Sequence, residues 1–452
     1  MVTKVLLLGS GFVAKPTVDV LASDKNYQVT VACRTLEKAK ALAGAAASAI
    51  SVDVTKQESI DAAVAEHDLV VSLIPYTYHA TVIESACRFK KNVVTTSYTS
   101  PAMLALEPKI KEAGIVVMNE IGLDPGIDHL YAVKTIDEVH KQGGKIKSFL
   151  SYCGGLPAPE DSGNPLGYKF SWSSRGVLLA LRNSARVYRD GKILEIDGPE
   201  LMNFARPYSI YPGFNTVGYP NRDSTPYKER YNIPEAEDIE RGTLRFGGFP
   251  QFVKVLVDIK FLDDQESPLF TEAKPWNQVL ATYIGAASTA SEDLVKAIDA
   301  KTKFNSPEER EQILNGFRWL GMFSSDAIIP RGNPLDTLCA TLEQLMQFEE
   351  GERDLVILQH KFGIEWADGK KETRTSSLVA YGDPTGQPDG YSAMARLVGV
   401  PCAVAVKQVT EKVGVFANPG IYAPVTPEVA FPLLKQLKEE FGIELIEKTL
   451  TY

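Results

Sequence analysis

Between residue 5 and about residue 120, short apolar runs recur at regular intervals: Val5–Leu8, Gln28–Ala32, Ala49–Val52, Leu69–Ile74, Asn92–Thr96 and Ile115–Met118. Runs of this length, bounded by polar residues and glycines, are what strands buried on both faces look like. The segments between them, such as Leu36–Leu42 and Ile60–Ala65, are rich in Ala, Glu, Lys and Leu, the composition of amphipathic crossover helices. The alternation predicts an α/β domain of Rossmann type, a doubly wound parallel sheet, over residues 1–126.

Beyond Gly126 the rhythm changes. Strand-like stretches at Lys147–Tyr152, Phe252–Ile259, Leu355–Trp366 and Glu372–Ala380 lie far apart, and Asp368-Gly369 between the last two predicts a tight hairpin. From about 265 to 350 the pattern is helical: Asn277–Ala286, Ser291–Ile298 with Ser291 as N-cap, Glu308–Leu320 and Pro334–Phe348. This predicts an α/β second domain (127–264 with 351–391) carrying a helical insertion (265–350). The tail returns to helix at Ser392–Val409 and Pro427–Phe441, so 392–452 is expected to pack back on the first domain. Gly382–Gly390 reads as a polar loop, and there is no internal repeat.

Charge and cysteine usage narrow the function classes. The 48 Lys+Arg against 57 Asp+Glu give a net charge of −9, so no global field draws the chain to nucleic acid or an anionic membrane. Any anionic ligand must meet a local positive cluster. Cys33, Cys87, Cys153, Cys339 and Cys402 are scattered and form no CxxC pair; they are expected to be reduced thiols in the cytoplasm, with no metal site. The apolar run near Met1 is too short for a signal peptide, and no apolar stretch is expected to reach the ~18 residues of a membrane span.

The first strand runs into Gly9-Ser10-Gly11-Phe12-Val13-Ala14, a G-x-G-x-x-A motif. Gly9 permits the tight turn, Gly11 lets the backbone approach a pyrophosphate, and Ala14 allows close helix–strand packing. The pyrophosphate would rest on the N-terminus of the next helix. The second strand ends in Cys33-Arg34-Thr35, where an NAD site would place a carboxylate for the ribose 2′-hydroxyl. Arg34 suits a 2′-phosphate instead, which predicts NADP(H); against this, Arg34 could be a solvated arginine at a strand end, with Glu37, three residues on, as the displaced acid.

Other strand ends belong at the same edge: Asp53-Val54, Ile74, Thr96-Ser97-Tyr98 and Leu123-Asp124-Pro125. Asp53 could accept from the adenine amine or cap the helix after Thr55. Thr96 and Ser97 offer hydroxyls near the nicotinamide ribose, or serve as plain caps.

Three further segments complete the pattern. Asn119–His129 sets three carboxylates and a histidine beside a glycine-rich turn. Ser151-Tyr152-Cys153-Gly154-Gly155-Leu156-Pro157 and Lys169–Gly176 follow, and Arg222 and Arg241–Arg245 lie downstream. The combination GSGFV, ACRT, SLIPYT, NEIGLDPGIDH, SYCGGLPAPE and YKFSWSSRG resembles the saccharopine reductase family, the NADP-dependent, glutamate-forming saccharopine dehydrogenases of fungal lysine biosynthesis. The resemblance covers nearly the whole chain and is weakest after about residue 410.

The resemblance implies an imine of glutamate and α-aminoadipate δ-semialdehyde, reduced by NADPH to saccharopine, in a homodimer. It carries cofactor contacts over to Ser10, Gly11, Phe12, Val13, Cys33, Arg34, Thr35, Asp53, Val54, Ile74, Thr96, Ser97, Leu123, Asp124, Pro125 and Ser173. Substrate contacts carry over to Ser97, Tyr98, Asp124, Arg222, Thr243, Leu244 and Arg245. A ligand with three carboxylates and two amines needs guanidinium forks and an anion, which Arg222, Arg245 and Asp124 could supply. Each arginine could equally be an interdomain ion pair, and Asp124 could simply cap the turn at Pro125.

Tyr98, Asp124 and Cys153 are the acid–base candidates, alongside the substrate's own amine; Cys153 could also be a plain buried thiol. His129, past the turn where a helix should begin, is expected to be structural. Two other functions share parts of this pattern. A dehydrogenase for a polyamine-type conjugate would not need several arginines. A silent NADP(H)-sensing protein would have no use for Asp124, Arg222 and Arg245 together.

Overall fold

The computed structural model describes residues 2–451. The first part of the chain supplies β1 (Thr3–Leu8), β2 (Tyr27–Cys33), β3 (Ser48–Ser51), β4 (Leu69–Ser72), β5 (Asn92–Thr95) and β6 (Val116–Met118). The middle supplies β7 (Lys145–Pro157), β8 (Ala185–Arg189), β9 (Lys192–Ile196), β10 (Arg206–Pro207), β11 (Thr216–Pro220), β12 (Asp238–Phe246), β13 (Asp354–Glu365) and β14 (Lys371–Tyr381). The tail adds β15 (Gly420–Tyr422) and β16 (Ile446–Thr451).

The first sheet has seven strands in the order β15-β6-β5-β4-β1-β2-β3, all parallel. From Val5 onward β1 is apolar because helices cover both its faces: Val5 and Leu7 join one hydrophobic core, Leu6 and Leu8 the other. The chain order reverses at the β2-β1-β4 junction, the place where doubly wound sheets bind ligands. Helix Ala393–Thr410 lies on one face, packed against helix Lys15–Ala22. A side chain at Gly399 would sit 2.8 Å from the Val13 carbonyl, so glycine is what lets these helices meet, and Thr17 Oγ1 donates to the Gly399 carbonyl at 2.9 Å. Contrary to expectation, helix Ala393–Thr410 is long and apolar enough to span a membrane, yet 78% of it is buried as a core helix.

The second sheet follows the path β10-β11-β12-β7-β13-β14-β16, with β8 and β9 attached through β12. Residues Trp366–Lys370 close the β13–β14 hairpin, with Gly369 in the left-handed region at φ +82°. β16 pairs with β14, so the last strand of the tail joins this sheet and not the first.

The expected strand Phe252–Ile259 is a helix, Phe249–Asp258. Its β-branched residues suggest a strand, but Phe249, Phe252, Val253, Val255 and Leu256 recur at helical spacing and are buried in one core with the helices that follow. Ser291 is the first residue of its helix, whose N-cap is Ala290.

Candidate functional site

The strand-to-helix turn after β1 needs its first glycine. Gly9 has φ +117°, and a Cβ there would fall 2.5 Å from the Leu73 carbonyl oxygen. At Gly11 the space around a Cβ is open, leaving a cradle of bare backbone beside helix Lys15–Ala22. Ser10, Phe12 and Val13 complete the turn, with Phe12 66% exposed. Cys33, Arg34 and Thr35 close β2, and the Cys33 thiol donates to the Thr35 carbonyl at 2.9 Å. Arg34 is exposed, and its guanidinium has no hydrogen-bond or ion-pair partner among the described residues. Glu37 is engaged by Lys40 at 3.0 Å. A free guanidinium here, with the nearby carboxylate already paired, fits a 2′-phosphate.

Asp53 is committed to its own turn. Its Oδ1 accepts from Thr55 N at 3.1 Å and Thr55 Oγ1 at 2.7 Å, bonds that hold its carboxyl below the ordinary range, while the helix N-cap is Lys56. Val54, Ile74 and Thr96 are half-buried or exposed along the same carboxyl edge of the sheet. Across from this edge Ser173 caps helix Ser174–Ala180, its Oγ accepting from Gly176 N at 3.1 Å. Phe12, Trp172, Ser171 and Tyr391 line a cleft of about 520 Å³ between the two parts of the chain.

The turn Gly122–Gly126 follows β6. Gly126 has φ +149°, and any side chain there would collide with the Gly122 backbone. Leu123, Asp124 and Pro125 form the turn's apex, with a cis bond before Pro125. Asp124 Oδ1 accepts from Tyr98 OH at 2.8 Å and from Arg241 Nη2 at 2.5 Å. The same Nη2 reaches Asp128 Oδ2 at 2.5 Å, and Asp128 Oδ1 accepts from Gly126 N at 2.6 Å.

Burial raises the Asp124 carboxyl, with Arg241 opposing and the Asp128 charge reinforcing. Burial would raise Asp128 too, but its imidazole neighbours, the Arg241 guanidinium and the Gly126 N–H bond keep it below the usual range. Two carboxylates therefore share one guanidinium. Burial also pushes the Tyr98 phenol and the Cys153 thiol far above their ordinary values, so both keep their protons at neutral pH.

Strand alternation on β12 explains the rest. Gly242 and Leu244 face Tyr152, whereas Arg241, Thr243 and Arg245 share the opposite face. Thr243 lies beside Cys153 of β7 in register. Leu244 is fully buried, so only its backbone could meet a ligand. Arg245 is 6% exposed, stacks over the rings of Tyr168 and Phe249 at 4.8 and 5.3 Å, and donates to the Leu244 carbonyl at 2.7 Å. Its Nε is unpartnered, and no carboxylate pairs with it among the described residues. Arg222 follows β11 at φ +58°, exposed, its guanidinium 5.5 Å from the Tyr98 ring centre and free of any ion pair among the described residues.

The sequence reading gave no role to two groups that organise this site, Arg241 and His79. Arg241 is the hub. Behind it His129 joins Tyr231 OH at 2.6 Å to Glu120 Oε2 at 2.9 Å, and Arg230 also pairs with Glu120 at 2.9 Å, the structural role expected of His129. His79 links Ser72 to Ser97, at 2.8 Å from each hydroxyl. The period-2 alternation of β12 could have singled out Arg241; nothing in the sequence marks His79.

Residues 5–118 match the saccharopine dehydrogenase NADP binding domain, and residues 122–443 the saccharopine dehydrogenase C-terminal domain. The chain is 64% identical over its whole length to the whole of the saccharopine dehydrogenase [NADP(+), L-glutamate-forming] of Pyricularia oryzae. It is 36% identical, over 97% of its length and 47% of the relative's, to the mitochondrial alpha-aminoadipic semialdehyde synthase of Bos taurus. The solved structure of apo histidine-tagged saccharopine dehydrogenase (L-Glu forming) from Saccharomyces cerevisiae superposes with a TM-score of 0.90, at 60% identity, covering 99% of this chain and 100% of that one. With both halves matched and full-length relatives at this identity, the chain belongs to the saccharopine dehydrogenase family.

Proposed function

We propose that this chain reduces the imine of L-glutamate and L-2-aminoadipate 6-semialdehyde to saccharopine, reversibly and with NADPH, as a step of lysine biosynthesis by the α-aminoadipate route. The observation that carries this reading is the charge arrangement at one cleft. Among the described residues Arg222 and Arg245 have no carboxylate partner, while Asp124 and Asp128 outnumber Arg241 two to one. A buried cation without a counter-ion is costly, so Arg245 is built to receive an anion from outside the chain. The surplus carboxylate charge is correspondingly built to receive a cation. A ligand carrying several carboxylates and a protonated nitrogen meets both needs.

The nicotinamide cofactor, when bound, supplies or accepts the hydride. Gly9–Val13 would hold its pyrophosphate and Arg34 its 2′-phosphate, with Cys33, Thr35, Asp53, Val54, Ile74, Thr96, Ser97, Leu123, Asp124, Pro125 and Ser173 as the remaining contacts. The chain's own part is orientation and electrostatics. Arg222 and Arg245 take carboxylates, Thr243 and the Leu244 backbone line the same strand, and Ser97 and Tyr98 close the other side. Asp124 faces the reacting nitrogen and stabilises it as a cation, the state that accepts hydride fastest. Tyr98 and Arg241 aim the Asp124 carboxylate. Cys153 stays a neutral thiol beside it. All five cysteines are free, which supports a reducing, cytoplasmic setting, and the family resemblance supports a homodimer.

The test is NADPH oxidation with glutamate and the semialdehyde, each omitted in turn. Turnover should require both. Equal oxidation without glutamate would refute the reading.

A further inference from the structure

The polar group that the mechanism leaves unused is His79, the first residue of helix His79–Phe89 and 1% exposed. It stands between strand ends. Nδ1 lies 2.8 Å from Ser72 Oγ at the end of β4, and Nε2 lies 2.8 Å from Ser97 Oγ just past β5. Thr95 Oγ1 is more distant, 3.3 Å from Nε2, and accepts the Ser97 N–H.

The ring is neutral: burial lowers its pKa to about 4, and the positive end of its own helix also disfavours a cation. A neutral imidazole has one donor and one acceptor nitrogen. Ser72 is 1% exposed, and Nδ1 is the partner of its hydroxyl. If Nδ1 carried the proton, the Ser72 hydroxyl hydrogen would be buried without an acceptor. Thr95, fully buried, could offer its own hydroxyl hydrogen to Nε2, but only across 3.3 Å; the 2.8 Å Ser72 contact is the stronger claim, so Ser72 donates to Nδ1 and the ring proton resides on Nε2, directed at Ser97 Oγ. Ser97 receives that bond on a lone pair, which leaves its own hydroxyl hydrogen free to point outward.

We infer that His79 is a positioning residue that sets Ser97 as a hydrogen-bond donor toward a carboxylate of the amino-acid substrate. The inference rests on the function proposed above, and it adds the direction of the bond and the group that enforces it. Ser97 adjoins Tyr98, which faces Asp124 and Arg222. A donor here adds to the guanidiniums around the same ligand, whereas an acceptor would repel its carboxylates. Strand-end packing thus sets the polarity of the substrate pocket through one buried ring.

Two measurements test it in the full-length protein. Long-range nitrogen–proton NMR on histidine-labelled enzyme should show His79 with a protonated Nε2 and a bare Nδ1 at pH 7.5, a result independent of any activity. The opposite tautomer, or a doubly protonated ring, would overturn the inference. The second is kinetic. In His79→Gln the side-chain amide can stand near the Nε2 position and donate to Ser97; in His79→Asn it stands near Nδ1 and cannot.

The Asn variant should raise the KM for saccharopine by roughly tenfold, the effect of losing one hydrogen bond to a charged group. The Gln variant should recover most of that loss. Combined with Ser97→Ala, the Asn change should add nothing further. Equal defects in Asn and Gln variants, or additivity with Ser97→Ala, would show that His79 is structural. Absence of saccharopine oxidation by the unmodified enzyme would instead refute the proposed function and leave the NMR result standing.

Discussion

Arg241 on β12 and Asp124 on the turn after β6 form a buried ion pair, Nη2 to Oδ1 at 2.5 Å, that joins the second sheet to the ligand edge of the first. The same nitrogen holds Asp128. Replacing Arg241 with Met leaves two carboxylates buried without a counter-charge. Breaking a buried pair from one side should cost about 3–5 kcal/mol of folding stability. Urea unfolding of the variant at neutral pH checks this. Arg241→Met/Asp128→Asn, with one carboxylate fewer, should regain part of the loss; a double variant no more stable than the single one would mean that Asp128 is not held by Arg241.

Arg34→Asp should weaken NADPH binding far more than NADH binding, because a repulsive carboxylate would replace the partner of the 2′-phosphate. Fluorescence titration with both cofactors measures the ratio. Equal losses would make Arg34 a solvent-facing strand terminus with no part in cofactor choice.

For Arg245→Ala the expected result is a higher KM for saccharopine at nearly constant NADP+ affinity. The lost charge-assisted bond is worth about 1.5–3 kcal/mol, roughly tenfold to a hundredfold. Arg245 packs against Tyr168 and Phe249, so Arg245→Met, which keeps apolar bulk between the rings, separates charge from packing. A Met variant with normal kinetics would refute the carboxylate role.

How much of this could be read from the sequence depends on range. The first sheet was legible because its central strands β1, β4, β5 and β6 carry short buried apolar runs, Val5–Leu8 being the clearest, whereas the three-residue edge strand β15 left no such mark in the tail. The second sheet was harder to see. Its strands mix polar and apolar faces, and β12, with Glu240, Arg241 and Arg245 in a strand, reads as polar because those charges are neutralised across the fold or kept for a ligand. Phe249–Asp258 misled through β-branched content that tertiary packing overrides. At the site, the glycine turn and Arg34 announce themselves by local spacing. Arg241 and His79 do not, since their partners Asp124 and Ser97 stand 117 and 18 positions away.

Acid should destabilise the fold through its buried neutral histidines. Burial lowers both His79 and His360 to about 4, against an ordinary value near 6.5 in the unfolded chain. Between those values the unfolded state binds protons that the folded state refuses, so stability falls as pH drops from about 6.5 to about 4 and is unaffected above that window. Each ring contributes at most about 3 kcal/mol to the fall. Comparing urea midpoints at pH 7.5 and 5.0 for the unmodified chain and His360→Gln isolates one ring from the carboxylates titrating nearby. The variant should lose less stability on acidification. An equal loss would mean that His360 is already protonated in the native state.

The last expectation concerns closure. Phe12, on the glycine-rich turn, and Trp172 and Tyr391, from the other part of the chain, line the same cleft of about 520 Å³. The proposed substrate arginines approach from the second sheet, and the proposed cofactor contacts occupy the edge of the first. Hydride transfer needs the two ligands in contact and water excluded, so a cleft with this much open volume should narrow when both are bound. The Gly122–Gly126 turn is an unsuitable pivot, because Gly126 is wedged against Gly122 and Asp124 is clamped by Arg241. The polar Gly382–Gly390 loop is the better one: Gly386 has φ +88°, and the loop leads directly into helix Ala393–Thr410, whose first N–H groups are held by Asp354 at 2.6 and 2.9 Å. Small-angle scattering should give a smaller radius of gyration with NADPH and saccharopine bound together than with neither, and Gly386→Pro, which cannot reach a positive φ, should blunt the change. An identical radius in both states would show that the two parts are already closed in the free protein.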